Sequence, residues 1–285
     1  MSARAPDAEH SAPMDWAAVQ ALPKPAALPR LRYGVEDQQF GELRLPPGVP
    51  GPFPVVVLIH GGCWQSAYDY DYVRPLAEAL STLGVATWTI EYRRLGNGGG
   101  WPETFRDVAH ATDHLRVLAQ TYPLNLKKVA AVGHSAGGQL ALWLASRGRI
   151  DQGDALYVRN PLKLQAVIGL AAITDLESYR IGPADSCHAA VEPLLGGNPT
   201  EQPQRYARVS PIALLPLGVP QWFVHGRLDP IVADATVLRY SERARANGDR
   251  VTLGVTSNAG HFEPVVPGST TWLALQQAVV DALLQ

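Results

Sequence analysis

The chain has 285 residues, 46% of them hydrophobic and 18% charged, with a formal net charge of −2 at pH 7. That balance suits one soluble globular domain with a large core. It also removes the electrostatic reason to expect nucleic acid or an anionic membrane as partner, and points to a neutral or small substrate.

No apolar run approaches the about 18 residues needed to span a bilayer. The first residues, Met1-Ser2-Ala3-Arg4-Ala5-Pro6-Asp7, lack the apolar core of a signal peptide, so the expected location is cytoplasmic. Cys63 and Cys187 are too few for a disulfide framework or a zinc site by themselves, and read as two free thiols in a reducing compartment.

Residues 1–31 are rich in Ala and Pro, which leaves room for no more than a short helix near Asp15-Trp16-Ala17-Ala18-Val19. They read as an arm lying over the surface or partly disordered, with the main domain over 32–285. Mixed polar and apolar residues at 31–35 and 40–45, closed by a Pro/Gly turn at 46–54, predict an antiparallel hairpin that opens the sheet. Pro54 to His60 is a β-branched run ending in Gly61-Gly62, as expected of a central strand buried on both faces. A helix at 72–83, a buried strand at 85–92 and a helix at 103–121 begin the strand–helix alternation of a parallel sheet. Further strands are predicted at 164–172, 221–226 and 251–256, and helices at 231–246 and 270–284. The stretch 175–211, with Pro at 183, 193, 199, 203 and 211, breaks the alternation and is a candidate short, semi-rigid cap or lid.

Between the helix at 103–121 and the strand at 164–172, an apolar strand-type run meets Gly133-His134-Ser135-Ala136-Gly137, and apolar residues then recur at helical spacing. Gly-x-Ser-x-Gly in a strand–turn–helix context is a nucleophile elbow, with Ser135 exposed on a strained turn and glycines where a Cβ would crowd it. The helix that follows points its amides and positive dipole end at the site.

A serine hydroxyl is a weak nucleophile near neutral pH, so Ser135 needs a base and the base an orienter. His261, in Asn258-Ala259-Gly260-His261-Phe262, follows the final strand in a loop and is the candidate base. Asp229, in His225-Gly226-Arg227-Leu228-Asp229-Pro230, is the candidate acid, with Asp234 the competitor one helical turn on. Amide donors for a tetrahedral oxyanion are expected from the backbone of Gly62, Cys63 and Ala136. The His60 ring reads as a brace for that loop. Cys63 as a thiol nucleophile is disfavoured because it lies on no elbow, and Cys187-His188 are adjacent residues that rarely orient as a pair. His110 and His114 lack an evident third metal ligand. Trp64 and Trp101 are candidate walls of the substrate pocket, with Tyr68, Tyr70 and Tyr72 nearby.

On these residues the chain resembles α/β-hydrolases of the esterase/lipase group that carry a His-Gly-Gly-x-Trp loop, including carboxylesterases and kynurenine formamidases. The match comprises His60-Gly61-Gly62-Cys63-Trp64, the elbow with Gly138, Asp229 and His261, and covers roughly 32–285. It implies an α/β-hydrolase fold with a mainly parallel, doubly wound sheet, Ser135 as nucleophile with Asp229 and His261 as partners, and no cofactor or metal. Two departures are Cys63, where relatives more often carry Gly or Tyr, and Ala171-Ala172, where they tend to show Ser-Gly before Asp-Leu. The expected activity is hydrolysis of short-chain carboxylic esters through an acyl-enzyme. A flat leaving group would sit between Trp64 and Trp101, and the alternative substrate is a small amide of the kynurenine-formamide type. A non-catalytic ligand-binding relative is the competing class. Oligomeric state is not readable from the sequence.

Overall fold

The computed structural model describes residues 12–285. Its strands are β1 (Arg30–Arg32), β2 (Phe40–Arg44), β3 (Phe53–Ile59), β4 (Ala86–Ile90), β5 (Leu124–His134), β6 (Ala166–Leu170), β7 (Gln221–Gly226) and β8 (Val251–Thr256). They form one eight-stranded sheet in the order β1-β2-β4-β3-β5-β6-β7-β8. β1 and β2 pair antiparallel, as the predicted opening hairpin requires, and β2 also pairs antiparallel with β4. Every other pairing is parallel.

The helices are α1 (Trp16–Gln20), α2 (Arg74–Ser81), α3 (Glu103–Asp113), α4 (Leu115–Leu118), α5 (Ala136–Ser146), α6 (Leu176–Tyr179), α7 (Val191–Leu195), α8 (Pro203–Val209), α9 (Asp234–Ala246) and α10 (Trp272–Val279). The helix expected over 103–121 is two helices meeting at His114, whose ring stacks on Trp88. None of the helices among the described residues is long and apolar enough to cross a membrane.

The continuous apolar run of β3 has a direct cause. Side chains alternate across a strand, so Val55, Val57 and Ile59 pack against Phe105 and Val108 of α3 and Leu140 and Trp143 of α5. Val56 and Leu58 point the other way, into the cluster that holds Leu76 and Leu80 of α2 and Leu275 and Val279 of α10. Both faces are covered, which is why no polar alternation marks this strand. The register sets Ile59 beside Gly133 and Gly133 beside Gly169, so β3, β5 and β6 end together and their loops emerge at one edge. Loops at the carboxyl ends of a parallel sheet form the usual ligand crevice.

Candidate active site

Ser135 stands between β5 and α5 at φ 55° and ψ −118°, a left-handed conformation that L-residues rarely hold. The surrounding packing enforces it. A Cβ on Gly133 would lie 2.1 Å from the Gly137 carbonyl oxygen, and one on Gly137 would lie 2.3 Å from the carbonyl oxygens of both Ile59 and His60. Only glycine allows that approach of turn to strand. The Ser135 N–H donates to the Leu170 carbonyl at 2.8 Å, and its own carbonyl accepts from Gly138 at 3.0 Å, which locks the turn between β6 and α5.

The loop after β3 is held as tightly. Gly62, Cys63 and Trp64 all have positive φ, at 103°, 55° and 54°. The Gly61 N–H donates to Tyr72 Oη at 2.7 Å, while among the described residues the N–H groups of Gly62, Cys63 and Ala136 have no acceptor. Three unengaged amides beside the elbow are available to an oxyanion. His60 braces the loop as expected: its Nδ1–H donates to the Gly61 carbonyl at 2.7 Å, its Nε2 lies 3.1 Å from both Arg94 Nη1 and Glu91 Oε1, and its ring stacks on Tyr92. Burial, with the Arg94 charge added, holds the His60 pKa well below the ordinary histidine value, so the brace is neutral.

Asp229 lies on the loop after β7, where Oδ1 accepts the N–H groups of Ile231 and Val232 at 2.8 Å each. Its Oδ2 accepts His261 Nδ1–H at 2.7 Å. Burial alone would raise the Asp229 pKa, but the hydrogen bond and charge of His261, with the Val232 amide, outweigh it and keep the pKa below the usual carboxylate value. Asp234 is the first residue of α9 and pairs with Arg227 at 3.2 Å, away from His261. Of the two carboxylates, Asp229 is the one brought to His261. Among the described residues no hydrogen bond joins the Ser135 hydroxyl to His261; both line one cavity.

Sequence reasoning missed a hydrogen-bonded chain that joins these loops. Tyr72, already accepting from Gly61, donates its hydroxyl to His134 Nδ1 at 2.7 Å, and His134 Nε2–H donates to the His261 carbonyl at 3.0 Å. Burial, then the neighbouring His261, pushes the His134 pKa down to about 3, which keeps the ring neutral. The loop after β3 and the loop that carries His261 are thereby fastened through the residue that precedes Ser135. Gln139 makes a second tie: Oε1 accepts from Trp64 Nε1 at 3.1 Å and Nε2 donates to the Val209 carbonyl at 2.9 Å. A glutamine buried in an apolar helix is the one sequence signal that could have pointed to it.

Two cavities meet at the site. The inner one, of about 210 Å³, brings together Ser135, His261, Gly62, Cys63, Tyr72 and Phe262. The outer one, of about 780 Å³, is walled by the 183–190 segment and by Gln65 and Ser66. Cys63, Tyr68, Cys187 and Ile231 line both and mark their boundary.

Three expectations are corrected here. Cys63 and Cys187 are not free: they form a disulfide with Cα atoms 4.9 Å apart, which ties the loop after β3 to the 175–211 segment across 124 residues of sequence. The segment folds back over the carboxyl edge of the sheet, a proximity that spacing along the chain does not reveal. Trp64 does not face the substrate cavity; its ring is fully buried in the core, where Gln139 takes its N–H. Trp101 lies under Arg205 at a separate cavity with Asp154 and Arg208, away from Ser135. Its backbone N–H donates to Leu194, so it packs the 175–211 segment and does not wall the site. His110 and His114 belong to no metal-ligating cluster, and none of three or more such residues exists among the described residues.

The strand order, the elbow after β5 and the helices on both faces of the sheet define an α/β-hydrolase. The BD-FAE family matches residues 42–241, more than half of the chain, and the chain belongs to that family. It is 27% identical over 188 residues to the probable carboxylic ester hydrolase LipM of Mycobacterium tuberculosis, which covers 64% of this chain. The chain spans only 42% of that relative's length. Among solved structures it is similar to the bifunctional GH43-CE of Bacteroides eggerthii, at TM-score 0.73 and 22% identity, covering 88% of this chain and 37% of that one. It is also similar to esterase B of Lactobacillus rhamnosis inhibited by a C4-C4 tributyrin phosphonate, at TM-score 0.75 and 20% identity, covering 89% and 84%.

Proposed function

We propose that this protein hydrolyses short-chain carboxylic esters through an acyl-enzyme on Ser135. The observation that carries the reading is the convergence of an elbow serine, the Asp229-bound His261 and unengaged amides on one small cavity. In this scheme His261 Nε2 takes the Ser135 proton as Oγ attacks the ester carbonyl. Asp229 steadies the imidazolium, and the amides of Gly62, Cys63 and Ala136 receive the oxyanion. His261 then returns the proton to the departing alcohol, and water repeats the sequence to release the acid. A serine route of this kind asks for no cofactor.

Similarity to LipM, a probable carboxylic ester hydrolase, and to esterase B inhibited by a phosphonate supports the chemistry. The inner cavity, at about 210 Å³, lies below the about 300 Å³ at which drug-sized ligand pockets begin, which supports a short acyl group. The 175–211 segment acts as a short cap, and the substrate is a small molecule. The expected cytoplasmic location comes from the apolar pattern of the chain, and the reading of two free thiols in a reducing compartment accompanies it. The Cys63–Cys187 bond replaces that reading of the thiols, since disulfides persist in oxidising compartments.

The test pairs labelling with kinetics. A fluorophosphonate should modify Ser135 alone, and Ser135→Ala should abolish nearly all turnover while the protein stays folded. Across p-nitrophenyl esters, kcat/KM should fall steadily from acetate or butyrate to octanoate. Labelling elsewhere with Ser135 untouched would sink the assignment, and a preference for long chains at a lipid–water interface would sink the small-pocket reading. N-formylkynurenine, run beside them, would displace the ester if its kcat/KM exceeded the best in the series.

A further inference from the structure

One wall of the inner cavity comes from outside the hydrolase core. Trp16, on α1 of the N-terminal arm, lines the same cavity as Ser135 and His261. Its indole meets Tyr68 and Tyr72 edge-on, each at 5.3 Å between ring centres, and Phe262 at 5.7 Å. Aromatic contacts of that geometry hold a ring in one orientation.

The arm is fastened where it matters. Asp15 caps α1 by accepting the Ala18 N–H at 2.8 Å, and Val19 is buried with Val73 and Leu76. Glu263, itself buried, accepts the Met14 N–H at 2.6 Å through one oxygen and the Gly260 N–H at 2.8 Å through the other. One carboxylate thus holds both the arm, two residues before Trp16, and the loop that carries His261. Further along, Arg74 donates to the Pro25 carbonyl at 2.7 Å. A surface strap without function at the site would need none of this registration to the base loop.

We propose that Trp16 is the specificity-determining end wall of the acyl pocket, setting the length of acyl chain that Ser135 accepts. The assignment of the acyl group to the inner cavity follows from the order of events. The acyl group stays covalently attached to Ser135 until water arrives, so it belongs in the smaller inner cavity that Ser135 lines; the alcohol leaves first and belongs on the side of the larger outer cleft, which Ser135 does not line. The inference rests on the ester-hydrolase reading of Ser135.

The experiment compares wild type, Trp16→Phe and Trp16→Ala on p-nitrophenyl butyrate and octanoate, with fluorophosphonate labelling of Ser135 as a check on the site. Each methylene fitted into an apolar pocket changes specificity by about tenfold or more, so the octanoate-to-butyrate ratio of kcat/KM should rise at least about tenfold in Trp16→Ala. Trp16→Phe should fall between the two, which covers the case in which the alanine variant does not fold. An unchanged ratio in folded, normally labelled variants overturns the proposal and leaves the esterase reading intact. If wild type cleaves no ester, the esterase reading fails, and calorimetry of butanoate and octanoate binding to Ser135→Ala, with and without Trp16→Ala, decides the wall separately. Octanoate gaining on butanoate when Trp16 is removed supports it; no gain overturns it.

Discussion

Ser135, Asp229 and His261 are separated by long stretches of chain, yet each owes its place to backbone constraints within a few residues of itself. The elbow conformation of Ser135 is imposed by Gly133 and Gly137, and Asp229 is oriented by the amides of Ile231 and Val232 before it meets His261. Because Asp229 Oδ2 holds His261 Nδ1–H, Asp229→Asn should favour the wrong tautomer and lower kcat by about 10³–10⁴, measured under saturating ester. Asp234→Asn, paired only with Arg227 at the start of α9, should leave kcat nearly unchanged, and the reverse ranking would transfer the role to Asp234. His134 adds a pH dependence of stability. Its pKa falls from 6.5 to about 3 on folding, so between those values the unfolded chain binds a proton that the folded one excludes. This contribution is therefore fully present above about pH 6.5 and is lost as pH falls toward 3; the buried His60 acts in the same direction, and Asp229 extends the loss below 3.8. Thermal melts across this range should show Tm dropping on the acid side, with a flatter drop in His134→Gln; an identical slope would remove His134 from the account.

At the scale of elements, the loop after β3 and the 175–211 segment act as one unit through the Cys63–Cys187 bond and the Gln139 bridge. A bond closing so long a loop restricts the unfolded chain, and its loss costs typically about 2–5 kcal/mol. Cys187→Ser should therefore lower Tm measurably. A reductant should shift wild type by a similar amount and leave the variant where it is. A reductant shift that persists in Cys187→Ser would mean that the bond is not the source. The backbone donors of Gly62 and Cys63 are unaltered by the change, so short-ester turnover should fall less than stability.

For the whole molecule, local patterns carried much of the outcome. The β-branched run at 54–60, the alternation that follows it and the Gly-x-Ser-x-Gly turn specify a parallel sheet with Ser135 at its carboxyl edge, because strand burial, helical spacing and turn sterics are all settled by near neighbours. The order Ser, Asp, His along the chain singled out Asp229 and His261 for the same reason: each sits on a loop whose position follows from the strand before it. What only the tertiary structure decided involves contacts between segments far apart in sequence. Trp64 and Trp101 looked like pocket walls because aromatic residues beside loops often are, but which way a ring turns depends on partners such as Gln139 and Arg205 that no local pattern names. Cys63 and Cys187 looked free because two cysteines are too few for a disulfide framework, and only the fold-back of one segment over the sheet edge makes them neighbours across 124 residues of sequence. Trp16 reaches the cavity for the same reason: Glu263, far along the chain, holds the arm and the His261 loop together with a single buried carboxylate.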